Sequence, residues 1–323
     1  MPCELIVSAE RGGSRLDHFL RGLYPEISLN RWRKALAEGW VRVDGLRAAK
    51  GLILKAGQIV VLPAGLLDEL SPAGPRPEAG PLEILYCDDD LIAVNKPAGC
   101  HTHPLRADET GTLVNRLLHH FPEISGIGDF GPLQPGILHR LDYLTSGLVL
   151  TARNQPTWEK FRGWFATHRI RKEYLAIVQG RLETAQTIDT ALTHDRADPR
   201  RMALSPPADP CRGLYPARTE IFPLEYRSET DTTLVRLVMR TGVMHQLRVH
   251  SAAIGHPLAG DWLYGDRDAV CSSFPADRDC CRQKSALPKI HLCCHRLILP
   301  DGFSLSSPVP DWSVVAIAGK RPR

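Results

Sequence analysis

Residues 136–152 read GILHRLDYLTSGLVLTA, and the interpretation of the whole chain turns on them. A Pro135-Gly136 turn opens the stretch and an apolar strand, Leu148-Val149-Leu150, closes it. Between them stand His139, Arg140 and Asp142, groups that can bind anions, donate protons or attack carbon. A carboxylate placed where a loop meets a strand can be held rigidly and still face a substrate. Taken alone, HRLD favours a blander interpretation, with Asp142 capping a turn and Arg140 solvated, because motifs so short recur by chance. Function has to be argued from the residues around it.

At 323 residues the chain is long enough for a substantial core and two domains. Its 43% hydrophobic and 24% charged residues suit a soluble globular protein. A net charge of +4 permits an anionic partner without demanding one, so local clustering has to decide. The N-terminus lacks a basic region followed by an apolar one, so no secretory leader is expected. No apolar run approaches the ~20 residues that span a bilayer, and no membrane association is expected. Nine cysteines are too sparse for a disulfide scaffold, which makes a reduced, cytoplasmic setting the simpler expectation. Cys271, Cys280, Cys281, Cys293 and Cys294 fall late, near His291 and His295. Their adjacent pairs do not reproduce zinc-site spacing, and no metal is expected.

Residues 14–62 form a pattern of their own. Leu16, Phe19, Leu20 and Leu23 recur at helical spacing. Ser28 suits the N-cap of a second helix carrying Leu29, Trp32 and Leu36, which Gly39 stops. Val41 and Val43 alternate into Asp44-Gly45, a hairpin signal, and Ile59-Val60-Val61-Leu62 reads as a further strand. Arg15, Arg31, Arg33, Lys34, Arg42, Arg47, Lys50 and Lys55 crowd this region, and charge alone fits a solvated face as well as a binding one. The strings GSRLDHFL from Gly13 and SLNRWRKALAEGWVRVDG from Ser28 resemble the alpha-L RNA-binding motif found in a ribosomal protein and many RNA-modifying enzymes. The resemblance implies that a helix-helix-hairpin domain, residues 1–63, presents basic side chains such as Arg15, Arg31, Arg33 and Lys34 to structured RNA.

Residues 64–80, rich in Pro, Gly and Ala, are expected to be a linker to a second domain at 81–323. That domain opens with strands at 82–86 and 91–95 around an acidic turn, broken by Lys96-Pro97-Ala98-Gly99. Asp88 to Asp90 read as turn residues rather than metal ligands, and His101 with His103 is a weak metal signal. A helix is expected from Thr112 to His120, and Pro156 suits the first turn of another, whose Trp158, Phe161 and Phe165 read as core. Lys172 to Val178 and Thr233 to Arg240 read as strands. Asp195 to Leu214, with Arg196, Arg200 and Arg201, reads as a loop. Thr241-Gly242 turns the chain into a helix bearing Leu247, His250 and Ile254. Strands interspersed with helices make a mixed α/β domain of the α+β type. The last residues, with Lys320, Arg321 and Arg323, are expected to fray.

Four segments, LIAVNKPAG from Leu91, HRLDYLTSGLVLTA from His139, KEYLAIVQG from Lys172 and TGVMHQLRVHSAAIGHPLAGDWLYG from Thr241, closely resemble the RluA-like family of pseudouridine synthases, in the family's order. The resemblance implies a mixed, largely antiparallel sheet and isomerisation of uridines in ribosomal or transfer RNA. It also implies no nucleotide or other cofactor, a monomer, and defined roles for several residues. Asp142 would be the nucleophile, attacking or stabilising a sugar carbon that becomes electron-poor as the base leaves. Arg248 would be the guanidinium that keeps Asp142 ionised, and Tyr174 would transfer a proton or pack against the uracil. The target base has to leave its stack, and Arg140 would help fill the space. His139 would contact the nucleotide or, preferably, support the loop, which Thr145, Ser146 and Gly147 would shape.

The chain departs from the family pattern at Val243 and Met244, where an arginine-threonine pair is usual, and at Cys293, where a histidine is usual. A non-catalytic RNA-binding factor that retains the fold is the alternative. A protein kinase is excluded because no glycine-rich loop precedes HRLD and no DFG follows it. A glycosidase would leave the basic N-terminal unit unexplained.

Overall fold

The computed structural model describes residues 2–24, 27, 29–49, 51–70, 74–205, 213–265 and 290–313. The expectations attached to Ser28, Lys50, Cys271, Cys280, Cys281, Lys320, Arg321 and Arg323 lie outside them. The chain divides into two compact units, one of Met1–Pro75 with Leu105–Asp108 and Asp129–Leu133, the other of the remaining residues.

In the N-terminal unit, helices α1 (Leu16–Leu23) and α2 (Leu29–Glu38) bury Leu16, Phe19, Leu20, Trp32 and Leu36 of the expected stripes, whereas Leu23, at the end of α1, is exposed and Leu29 only partly buried. Strands β1 (Cys3–Ile6), β2 (Arg42–Val43), β3 (Leu46–Arg47) and β4 (Ile59–Leu62) form a sheet in the order β1-β4-β2-β3. Asp44 and Gly45 both take positive φ, 49° and 74°, as a two-residue hairpin turn requires. The stretch expected to be linker contains a helix, α3 (Leu66–Leu70), and Leu66 is 2% exposed in this unit's core. The LLDEL segment has apolar residues to bury, and burial outweighs the flexible composition around it.

The second unit is a nine-stranded mixed sheet. Its strands are β5 (Glu83–Cys87), β6 (Leu91–Lys96), β7 (Ser146–Ala152), β8 (Arg171–Gln179), β9 (Gln186–Asp189), β12 (Arg218–Arg227), β13 (Thr232–Met239), β14 (Leu292–Ile298) and β15 (Ser304–Ser306). The order is β5-β6-β7-β14-β8-β13-β12-β9, with β15 added to β14. Only the β7–β14 pairing is parallel, so the sheet is largely antiparallel. A hairpin of β10 (Leu192–His194) and β11 (Met202–Leu204) stands apart, and β11 falls within Asp195 to Leu214, expected to be a loop. Met202 is the reason: it is 2% exposed in a small apolar cluster, which its polar, arginine-rich neighbours obscure in sequence.

Helix α4 (Leu113–His120) is capped by Thr112, whose side chain accepts from the Asn115 amide while Asn115 bonds back to the Thr112 amide. Helix α5 (Gln155–Ala166) starts at Asn154 with Pro156 in its first turn. Trp158 and Phe161 are buried, and the Trp158 indole donates to the Ile137 carbonyl at 3.2 Å, tying α5 to the start of the 136–152 stretch. Helix α6 (Gln246–Ala253) follows the Thr241-Gly242 turn. Strand β14 lies between β7 and β8, so Gly147 and Tyr174 both pair with Cys294. That arrangement brings the two motifs together. Gly147 takes φ of 108°, and a Cβ there would stand 2.7 Å from the Cys294 amide nitrogen, so only glycine fits.

Candidate active site

Asp142 sits in the turn that feeds β7, and the backbone around it is fixed at successive points. The Thr102 hydroxyl donates to the Leu141 carbonyl at 3.0 Å and accepts from the Leu141 amide at 3.1 Å. The Asp142 carbonyl accepts from the Thr145 amide at 3.1 Å, and the Tyr143 carbonyl from the Gly99 amide at 2.9 Å. Lys96, fully buried at the end of β6, directs its ammonium to the carbonyls of Cys100 at 2.7 Å, Pro97 at 2.9 Å and Tyr143 at 3.4 Å. Burial lowers the Lys96 pKa to about 8, against the opposing attraction of Cys100 and Asp142. Among the described residues the Asp142 carboxylate itself has no hydrogen-bond or ion-pair partner. It is a negative charge on a rigid turn with its oxygens available.

Four groups feel that charge. It favours the protonated form of each, the cations of Arg248, Lys96 and His245 and the neutral phenol of Tyr174. Arg248, expected to pair with Asp142, instead makes a bidentate pair with Asp261, Nε to Oδ2 at 2.7 Å and NH2 to Oδ1 at 2.8 Å. Asp261 is fully buried and Arg248 nearly so, and a buried carboxylate needs a direct, hydrogen-bonded cation. Arg248 therefore acts on Asp142 through space.

Tyr174 is 4% exposed, and burial with hydrogen bonding to Cys294 holds its pKa well above the usual tyrosine value. It is a neutral phenol, able to donate or pack; the proton-accepting role expected of it requires a phenolate that this environment opposes. His139 is likewise uncharged. Its Nε2 accepts from the Leu150 amide at 3.1 Å, its ring packs on Phe165, and burial with the nearby Lys172 and Arg162 charges brings its pKa down to about 3. That bond ties the HRLD turn to β7. Thr145 is buried beneath the turn, whereas Arg140 is exposed and has no side-chain hydrogen bond or ion pair among the described residues.

His245 heads α6 in a left-handed conformation, φ 55°, and its Nδ1 lies 2.9 Å from the Tyr264 hydroxyl. That hydroxyl also accepts from the Met202 amide at 2.8 Å, which fixes its position beside the imidazole. Arg248 also lies over the Tyr264 ring, 5.0 Å from its centroid.

The basic residues of the N-terminal unit are less free than their sequence suggests. Arg15 and Arg33 both bond to Asp17, at 2.9 and 3.0 Å. Asp17 is 2% exposed; burial alone would raise its pKa, but the two arginines outweigh this and bring it to about 2. Arg31 donates to the Leu70 carbonyl at 2.7 Å, and Lys34 lies 3.8 Å from Glu38. Arg15 and Arg33, expected as RNA contacts, are held by a buried acid, although both keep exposed surface.

Over residues 90–253, the part of the chain that holds this constellation up to α6, the sequence matches the family described as RNA pseudouridylate synthase. The chain belongs to the RluA-like RNA pseudouridine synthases. It is 35% identical to an uncharacterized RNA pseudouridine synthase of Aquifex aeolicus over 81% of this chain and 79% of that one. It is 32% identical to the ribosomal large subunit pseudouridine synthase D of Vibrio parahaemolyticus, covering 93% and 88%. The solved human RNA pseudouridylate synthase domain containing 1 is similar with a TM-score of 0.54 and 28% identity, covering 72% of this chain and 86% of that one. As an RNA pseudouridine synthase, the protein converts uridine to pseudouridine.

Sequence reasoning passed over Lys96, Thr102, His245, Asp261 and Tyr264 in this synthase. Asp261 left the clearest trace, a lone acid following Leu258-Ala259-Gly260. The two late cysteines inside the structure are strand residues: Cys293 lies 3.5 Å from the Ser307 hydroxyl, and Cys294 bonds with Tyr174. Among the described residues no cluster of metal ligands occurs.

Proposed function

We propose that Asp142 is the nucleophile of this synthase and that its substrate is a structured RNA, with large-subunit ribosomal RNA the first candidate and transfer RNA the second. The observation that carries the assignment is a carboxylate whose flanking peptide groups are bonded at Leu141, Asp142 and Tyr143 while its own oxygens stay unpartnered among the described residues. Asp142 bonds to the anomeric carbon, or stabilises its positive charge, as the bond to base nitrogen 1 breaks and the electron pair goes to the base. The uracil turns, carbon 5 joins the anomeric carbon, and the carboxylate is released. The proton on carbon 5 leaves and nitrogen 1 gains one, so the reaction is an isomerisation with no net change in atoms or electrons. Tyr174, held protonated, packs beside the uracil, and the freed Asp142 carboxylate takes the carbon 5 proton.

Arg140, exposed at the turn, is suited to the space that the flipped base leaves. The N-terminal unit is read as an alpha-L RNA-binding domain, in which Arg15 and Arg33 order the surface through Asp17 and Lys34 offers an exposed charge. The name of the Vibrio parahaemolyticus relative supports the ribosomal target. The free cysteines suit a reducing compartment, and the protein is read as a cytoplasmic monomer. Release of tritium from uracil carbon 5 of an unmodified large-subunit transcript tests the assignment. Asp142→Asn is expected to reduce it below detection while RNA binding persists; turnover in that variant would remove Asp142 from the role.

A further inference from the structure

Arg171 opens β8 and Arg169 stands two residues before it, while Arg240 immediately follows β13, the antiparallel neighbour. Because Met239 pairs with Lys172, the two strands bring Arg240 beside Arg171. All three arginines line a cleft of about 420 Å³ whose other wall is Ile298, Leu299 and Pro300. Arg171 and Glu173 point to the sheet face opposite Lys172 and Tyr174, so this cleft is separate from the uridine site.

Its charge is poorly balanced. Arg169 and Arg240 are exposed, and neither side chain has an ion pair or hydrogen bond among the described residues. Arg171 reaches Glu173 at 2.8 Å, but the same carboxylate oxygen also serves Arg236 at 3.4 Å. The Arg171 Nε is buried and has no hydrogen-bond partner among the described residues. Nearby acids are otherwise engaged: Glu220 on β12 pairs with Arg218 at 3.7 Å, and Asp301, next to Pro300, accepts from the Phe303 amide at 3.0 Å. Convergent guanidiniums around an apolar wall, with one shared carboxylate between them, call for an anion that accepts several N–H bonds at once.

We propose that Arg169, Arg171 and Arg240 bind a backbone phosphate of the substrate RNA, away from the target uridine. The proposal rests on the family's RNA substrate and not on the role given to Asp142. Such a contact holds the RNA without touching the reacting atoms, so it contributes affinity and salt dependence rather than turnover.

The test measures binding of unmodified large-subunit ribosomal RNA and transfer RNA transcripts across a salt series. R169Q/R240Q changes exposed side chains and is expected to fold, which a melting curve checks. Its affinity should fall roughly 10- to 100-fold at about 0.1 M salt, and the slope of log affinity against log salt should become shallower by about one to two. Its kcat at saturating RNA should stay within about twofold of wild type while KM rises, since the contact is remote from the chemistry. R169K/R240K should recover most of the slope, and R181Q/R218Q, an equal loss of charge elsewhere, should change little. If wild type binds only the transfer RNA transcripts, the ribosomal target is wrong and the cleft is judged on those. Unchanged affinity and slope in R169Q/R240Q, or an equal loss in R181Q/R218Q, would overturn the cleft. So would saturable binding of inorganic phosphate that R169Q/R240Q abolishes while RNA binding is untouched, since the cleft would then take a free anion.

Discussion

Thr102→Val removes one hydroxyl and keeps the shape of the side chain, and it addresses the claim that Asp142 is held by its backbone. The hydroxyl makes two bonds to Leu141, and Thr102 and Leu141 are 3% and 6% exposed. Valine leaves the Leu141 amide and carbonyl buried without partners, and each such group costs about 1–3 kcal/mol, so the loss is about 2–6 kcal/mol. At roughly 2–4 °C per kcal/mol for a chain of this size, Tm should drop on the order of 10 °C. Because displacement of a reacting group by about 1 Å can cost 100-fold in rate, kcat for tritium release should fall on the order of 100-fold at a temperature where the variant is folded. RNA affinity should be nearly unchanged. Thr102→Ser keeps the hydroxyl and should retain most of both. A variant that melts early yet turns over at the wild-type rate would refute the reasoning, since it would separate the Thr102 bonds from the placement of Asp142.

Asp261→Asn takes the charge from Arg248's direct partner and should cost about 3–5 kcal/mol, the usual loss when a buried pair is broken, read as a lowered denaturation midpoint. Gly147→Ala should be more damaging than a surface change by several-fold, because the added Cβ meets the Cys294 backbone at a φ of 108°; soluble yield and melting report it. His103, 7% exposed with an unpartnered Nδ1, has its pKa lowered to about 4 by burial and by Arg140. The unfolded chain therefore takes up a proton first, stability falls as pH drops from about 6.5 toward 4, and His103→Gln should flatten that fall by about 1–2 kcal/mol at pH 5 in urea titrations.

The elements around the site were legible where local chemistry and burial agreed. Pro135-Gly136 and the run from Leu148 placed the HRLD turn and β7, and Asp44-Gly45 placed the first hairpin. Strand β14 was legible only through the family resemblance at Cys293, because Cys-Cys-His-Arg has no clean alternation of its own, and β12 was hidden by Pro223, which sits at a bulge. Lys96 read as part of a strand-breaking turn; its value lies in a bond to a carbonyl 47 residues away, which no local pattern encodes. Arg33 read as a free cation because Asp17, the acid that holds it, lies 16 residues earlier on another helix.

Val243 and Met244 show how a departure from a family pattern is resolved by packing. Both are partly buried against Leu192, Met202, Ala217, Val249 and Tyr264, a cluster that joins the β10–β11 hairpin to α6. Tyr264 belongs to this cluster and also to the polar site, where its hydroxyl lies 2.9 Å from His245 Nδ1 and its ring lies under Arg248. The Met202 amide that bonds Tyr264 comes from the same hairpin. The apolar pair therefore packs into the same small cluster that Tyr264 packs against. Shortening Met244 to alanine should loosen this cluster by about 2–3 kcal/mol at most, given its partial exposure, and should disturb His245 and Arg248 before it disturbs the sheet.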